Sequence, residues 1–322
     1  MNSALSFWTE KLTKLRTDKV SRPWPSWTKH QAPHKPLLLL SVMDLYAMDA
    51  VSNDIIEPSM ELVEIFKGYW DRVIPDGGTT SVAFPLPRLE RDGIWQLIPR
   101  EELEGDIPIS AISSMVKLKS VCSGARVDNE LYRLLMNEQS REILRAAVIT
   151  HFFSPEMKAV LLEESEVQIE AEIYSKNLLR QIELKRKLEE SHKTTKVRSR
   201  GFSKAILPLY GYRCAICGIK ITTPEEYHVI EAAHIVPWSV TRNDDLTNGL
   251  SLCRLCHWSF DRGMLGIDKN HQVLVSRHLK SADNCAGHLL TLEKRPIFQP
   301  KEPSFAPGID NLAWHRKKVF IR

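Results

Sequence analysis

Apolar residues recur at helical spacing from Leu5 through Trp8, Leu12 and Leu15, which predicts an opening helix. The polar, proline-punctuated stretch from Ser21 to Pro36 ends it. A second helix is expected from Pro36, a residue suited to the first helical turn, through Leu37, Leu40, Met43 and Tyr46. Pro58 opens a third, through Leu62, Phe66 and Tyr69. Between Val82 and Ile98 the pattern changes: short apolar runs flank Asp92-Gly93, a tight-turn pair, and predict a β-hairpin. Helices near Asn129–Met136 and Ser140–Phe152 complete an α+β domain over residues 1–153. From Pro155 to Ser191 the chain is rich in Glu, Lys, Leu and Ile and has no Gly, so residues 154–197 read as a long solvated connector helix. Residues 198–322 form the third segment.

Length and composition, 322 residues with 43% hydrophobic and 26% charged, suit a globular chain with two cores. The apolar run Leu37–Leu40 is far too short to span a bilayer, and neither leader nor membrane partner is expected. The net charge of +4 is too small to identify a nucleic-acid partner by itself, but its distribution is uneven. Acidic residues vanish between Glu190 and Glu225 while Lys193, Lys196, Arg198, Arg200, Lys204, Arg213 and Lys220 accumulate. This run is either a solvated face or a surface that meets phosphates.

Four of the six cysteines fall in two close pairs, Cys214-Ala-Ile-Cys217 and Cys253-Arg-Leu-Cys256. Two such pairs supply the four thiolates of a closed tetrahedral Zn²⁺ site, structural because no position is left for water. Thiol ligands also point to a reducing, cytoplasmic compartment. Cys122 and Cys285 stand alone and read as small buried residues.

Threaded between the thiol pairs are Glu231-Ala-Ala-His234-Ile-Val-Pro, then Asn248-Gly-Leu, then Cys256-His257-Trp-Ser-Phe-Asp261. With the closing Leu312-Ala-Trp-His315 and Val319-Phe320, this region resembles the HNH endonuclease family, in the branch of restriction enzymes, from about Phe202 onward. The resemblance implies a ββα-metal domain that hydrolyses phosphodiester bonds in double-stranded DNA. Such hydrolysis needs a base for water and a cation for the phosphate. By the family pattern His234 ends the first strand and is the general base, and Asn248 is a clamp on loop backbone, though a turn-forming Asn before Gly249 looks the same. His257 and Asp261, four apart on one helix face, are the ligands of a divalent cation (Mg²⁺, Mn²⁺, Ni²⁺ or Zn²⁺), with a cap on the Arg262-Gly263 turn as the alternative for Asp261. His257 completes the catalytic set. The sequence departs from the common pattern at Ala233, where the family usually carries an acidic or histidine ligand. Glu231, one pleat away on the same strand face, is a secondary candidate.

Target choice falls to the first domain. Its segment from Arg22 to Pro36 alternates basic and aromatic residues ahead of a helix N-terminus, and reads as an anion-facing surface or as a loop whose tryptophans cap the core. The run Ala32-Pro-His-Lys-Pro-Leu-Leu-Leu-Leu40, with Phe84-Pro-Leu and Asp92-Gly-Ile-Trp95, resembles the sulfur-binding domain of phosphorothioate-dependent type IV restriction endonucleases. That resemblance implies an apolar contact to sulfur from Pro33 and phosphate contacts from Lys29, His34 and Lys35. The whole reads as a modification-dependent nuclease, working as a homodimer so that both strands are cut. The alternatives are an HNH nuclease that reads unmodified DNA and a zinc-stabilised DNA-binding protein without catalysis.

Overall fold

The computed structural model describes residues 3–21, 23–75, 80–100, 109–184, 194–281 and 288–321. The chain divides into two compact units, Met1–Ile169 with Pro224–Tyr227, and Glu170–Thr223 with His228–Arg322. Among the described residues no helix is long and apolar enough to cross a membrane.

The first unit contains α1 (Ser3–Thr13), α2 (His34–Ala47), β1 (Ile55–Ile56), α3 (Met60–Val73), α4 (Pro85–Glu90), β2 (Trp95–Pro99), α5 (Met115–Val121), β3 (Cys122–Val127), α6 (Asn129–Met136) and α7 (Glu138–Phe152). Helix α2 is its centre. Apolar residues surround α2 on every side, and everything from Pro36 to Tyr46 is buried, as a helix without a polar stripe must be. Its one buried carboxylate, Asp44, is matched by Arg145 at 2.8 Å, the Tyr69 hydroxyl at 2.7 Å and the Ser165 hydroxyl at 2.6 Å. Side-chain oxygens of Ser59, Asp128 and Asn137 cap the N-termini of α3, α6 and α7. The strands form an antiparallel sheet in the order β1-β3-β2.

The hairpin expected between Val82 and Ile98 is a correction. Residues Pro85–Glu90 are helical, a turn at Asp92-Gly93 follows, and β2 pairs with β3. Pro85 and Pro87 lack the N–H that a ladder needs, whereas Pro85 fits the first turn of a helix.

Helix α8 (Pro155–Leu184) crosses the division between the units. The sequence reads this stretch as solvated, but Leu161, Val167 and Gln168 are buried in the first unit, and Ala171, Tyr174 and Leu178 in the second. Its frequent Glu and Lys mask two apolar stripes. Arg22, Cys285 and the connector's residues 185–193 lie outside the described residues.

The second unit adds α9 (Thr195–Leu209), β4 (Ile230–His234), α10 (Trp238–Thr241), β5 (Gly249–Cys253), α11 (Arg254–Asp261), β6 (Leu265–Ile267), β7 (Val273–Val275), α12 (Arg277–Ser281) and α13 (Ile309–Lys318). β4 and β5 are antiparallel, with Ile230 opposite Cys253 and His234 opposite Gly249, and α11 follows β5 without a break. Phe202 and Ile206 of α9 press on the start of β5. A Cβ at Gly249 would lie 2.2 Å from Ile206 Cδ1, so this position has no room for a side chain.

Candidate active site

The four paired cysteines converge. One sulfur from each of Cys214, Cys217, Cys253 and Cys256 lies within 4.8 Å of the other three. The Cys217 and Cys253 sulfurs are 3.7 Å apart, close to the roughly 3.8 Å edge of a tetrahedron with Zn–S bonds of about 2.3 Å. The Cys217 N–H points at Cys214 Sγ (3.4 Å), and Gly218 turns the chain back at φ 79°, a conformation that suits glycine. The donor set and spacing fit a structural zinc ion. It would join the loop before β4 to the junction of β5 and α11.

His234 closes β4. Its Nε2 is 2.7 Å from Asp244 Oδ1, and its ring stacks on Phe202 with centroids 4.0 Å apart and planes 6° off parallel. Asp244 also accepts from the Tyr174 hydroxyl (2.8 Å) and from Arg198 Nη1, which spans both oxygens at 2.9 and 3.0 Å. Burial alone would raise this carboxyl, but the bonds from His234, Tyr174 and Arg198, with the Arg198 charge, outweigh it and hold the group below its ordinary value. Asp244 has no periodic signature in the sequence. It is one acid in the polar loop Asn243-Asp244-Asp245, and only the fold brings it to His234.

Asn248 sits in a short 3₁₀ turn, fully buried. Its Oδ1 accepts from the Val236 N–H (2.9 Å), and its Nδ2 donates to the carbonyls of Val236 and Asn243, both at 3.0 Å. The side chain thus ties the loop after β4 to the start of β5. Gly249 is extended (φ −114°), so the pair is not a left-handed turn.

His257, on α11, places Nδ1 3.0 Å from Glu231 Oε2 and Nε2 3.4 Å from Asp261 Oδ2. With the Nδ1 proton given to Glu231, Nε2 keeps its lone pair on the Asp261 edge, the pattern by which an outer carboxylate orients a metal-ligating imidazole. Glu231 also accepts from Arg254 at 3.1 Å. Among the described residues no third His, Cys, Asp or Glu completes a three-atom ligand cluster with His257 and Asp261. Ala233 is buried across the ladder from Leu250.

His234, Trp238, His257, Asp261 and His315 line one cleft of about 450 Å³. His315, from α13, is buried, stacks on Phe260 (3.6 Å, 11°), and donates from Nε2 to the Phe260 carbonyl at 2.9 Å. Burial pushes its pKa down to about 4. The basic run ahead of the motif is largely committed within the unit: Arg198 to Asp244, Lys204 to Glu172, and Arg213 to the Gly218 carbonyl.

The expected recognition residues of the first unit do not form one anion-facing surface. Pro33 is buried at the start of α2. Lys35 pairs with Asp92, which also holds Arg16, so its charge is answered internally. Lys29 donates to the carbonyls of Thr150 and His151 at 2.7 and 3.0 Å. His34 packs among the rings of Trp24, Trp70 and Phe84.

No curated protein matches the chain. Among solved structures the chain is similar to one described as a modification dependent TagI restriction endonuclease, at 24% identity and a TM-score of 0.29. That match covers 38% of this chain and 39% of the other, so it spans well under half of either protein. Residues 214–268 match the family model described as HNH endonuclease. Thiol pairs, strands and helix thus fall within one matched segment: residues 214–268 are an HNH endonuclease domain.

Proposed function

We propose that the chain is a metal-dependent DNA endonuclease whose reaction centre is the cleft lined by His234, His257 and Asp261. The observation that carries this reading is their shared cleft: an imidazole on a strand end opens onto the same space as a His–Asp pair on the following helix. In that arrangement His234 Nδ1 takes a proton from water, the hydroxide attacks phosphorus, and the P–O bond to the leaving oxygen breaks, that oxygen taking a proton from solvent. His257 Nε2 and Asp261 would hold the divalent cation, which supplies charge neutralisation on the phosphate. Asn248 keeps the loop after His234 in register, and Glu231 holds His257 in its ligating tautomer.

The finer reading is a restriction enzyme that acts on modified DNA, phosphorothioated DNA in the first instance, with recognition in the first unit and two chains cutting the two strands. Within that unit the exposed rings of Trp27 and Phe84 are open to such a ligand, and the exposed Lys29 could reach a phosphate only by leaving the carbonyls of Thr150 and His151. A second reading, a zinc-stabilised DNA-binding protein without catalysis, is favoured by the alanine at position 233. The test is cleavage of plasmid, with and without backbone sulfur, by the zinc-loaded protein in Mg²⁺ or Mn²⁺. We expect cutting that is lost in His234→Ala with zinc content unchanged. Equal cutting of both plasmids would remove the sulfur-reading part, and DNA binding without cleavage in either metal would establish the second reading.

A further inference from the structure

We infer that Asp244 is the positioning carboxylate of the base: it fixes which nitrogen of His234 is free to take the proton and supports the cation that results. The inference rests on the nuclease reading above and adds a residue that the sequence motif does not contain.

An ionised carboxylate offers about four lone-pair sites and no donor. At Asp244 they meet the His234 ring nitrogen, the Tyr174 hydroxyl and a bridging Arg198 nitrogen, and the side chain is only 4% exposed. Every partner must therefore donate, so the His234 proton resides on Nε2. Nδ1 then carries the lone pair. No hydrogen bond to Nδ1 is formed among the described residues, and the ring borders the cleft. Phe202 fixes the ring plane. Tautomer, plane and open nitrogen are set before any substrate arrives, which is what a general base requires of its surroundings.

When Nδ1 accepts a proton from water, the imidazolium lies against a charge that has already been desolvated and ionised. Arg198 keeps Asp244 ionised, so the carboxylate does not itself take the proton. The Arg198 guanidinium also lies 4.1 Å from the centroid of the Trp238 ring, a wall of the same cleft, which ties the network to the space where DNA would enter. A purely structural Asp244–Arg198 pair would need neither the contact to Nε2 nor a vacant Nδ1.

The test uses the full zinc-loaded chain and three variants, read by steady-state cleavage against pH and by nitrogen NMR of His234. Asp244→Asn removes the charge and replaces one of the two acceptor oxygens by an amide donor. We expect kcat to fall about 100-fold or more with KM for DNA and zinc content preserved. The acidic limb of the pH profile should move to lower pH, because the charge beside the ring is gone. NMR should show the Nε2–H tautomer losing its dominance. Tyr174→Phe removes a donor from the far side of the carboxylate and should move the same limb the opposite way, to higher pH; it keeps the question open to decision if the Asn variant misfolds. Asp244→Glu should recover part of the rate lost in Asp244→Asn. The proposal is overturned by an Asn variant that cuts within threefold of the wild type, or by a His234 tautomer and acidic limb that do not move in either variant. A wild-type protein that cuts no DNA would sink the nuclease reading and this proposal together, whereas an active wild type with an indifferent Asn variant sinks this proposal alone.

Discussion

Replacing Asn248 is the sharpest perturbation of the loop that follows His234. Its side chain is fully buried and makes three hydrogen bonds, all to backbone. Asn248→Ala leaves the Val236 N–H without an acceptor, at a cost of about 1–3 kcal/mol, and leaves two carbonyls short of one donor each. With the small void added, the second unit should lose about 2–5 kcal/mol. Asn248→Asp has nearly the same shape but places an acceptor where Nδ2 met two carbonyls. Its folded-state carboxyl should therefore rise above the usual value near about 3.9. For a raised carboxyl the folded state binds the extra proton, so stability is highest at low pH and is lost as pH climbs through the raised value. The Asp variant should thus lie closer to the wild type at pH 5 than at pH 8. Urea denaturation followed separately in the two units reads the free energies, and hydrogen exchange at the Val236 amide reads the local opening. An Ala variant within 0.5 kcal/mol of the wild type ("about zero" on the scale of a buried hydrogen bond), with Val236 exchange unchanged, would refute the clamp.

Two further outcomes are expected. The His315 pKa of about 4 lies below the ordinary value near about 6.5, so the unfolded chain takes up a proton in that window that the folded chain refuses, and stability falls as pH drops through it by up to about 3 kcal/mol. His315→Gln should flatten the difference between denaturation at pH 7 and pH 4.5; a slope that persists unchanged would place the acid sensitivity elsewhere. Elemental analysis should find one tightly held zinc per chain, and chelation or Cys253→Ser should abolish the cooperative melting of the second unit, since binding energies on the order of 10 kcal/mol are folding energies in such sites; full retention of that transition without zinc would contradict the site.

Legibility in the sequence followed the range of the interaction. Helices α3, α6 and α7 announce themselves by apolar period, a local signal, and the structure adds their caps at Ser59, Asp128 and Asn137. The thiol pairs were readable because each Cys-x-x-Cys is local, and their four sulfurs converge; His234, Asn248 and His257 stood out through the resemblance to the HNH pattern, and their roles belong to the proposal above. The hairpin at Asp92-Gly93 failed because a turn signal does not reveal what precedes it, and two prolines made that element a helix. Strand β3 contains Ser123, Gly124 and Arg126 and gained its place from pairing with both β1 and β2. Helix α8 was misjudged because charge on its outer faces conceals burial against partners distant in sequence. Asp244 was missed for the same reason: Tyr174, Arg198 and His234 meet it only once the second unit is packed.

Helix α11 has eight residues, fewer than a free helix needs to persist in water. Its pose is therefore set by tertiary packing, with Phe260 buried on His315 and with Cys256, the immediate neighbour of His257, held in the sulfur cluster at its first turn. A newly made chain that has yet to capture its structural ion would carry that imidazole on a fraying end. On the nuclease reading proposed above, capture of an ion by the four cysteines would have to precede a correctly posed His257.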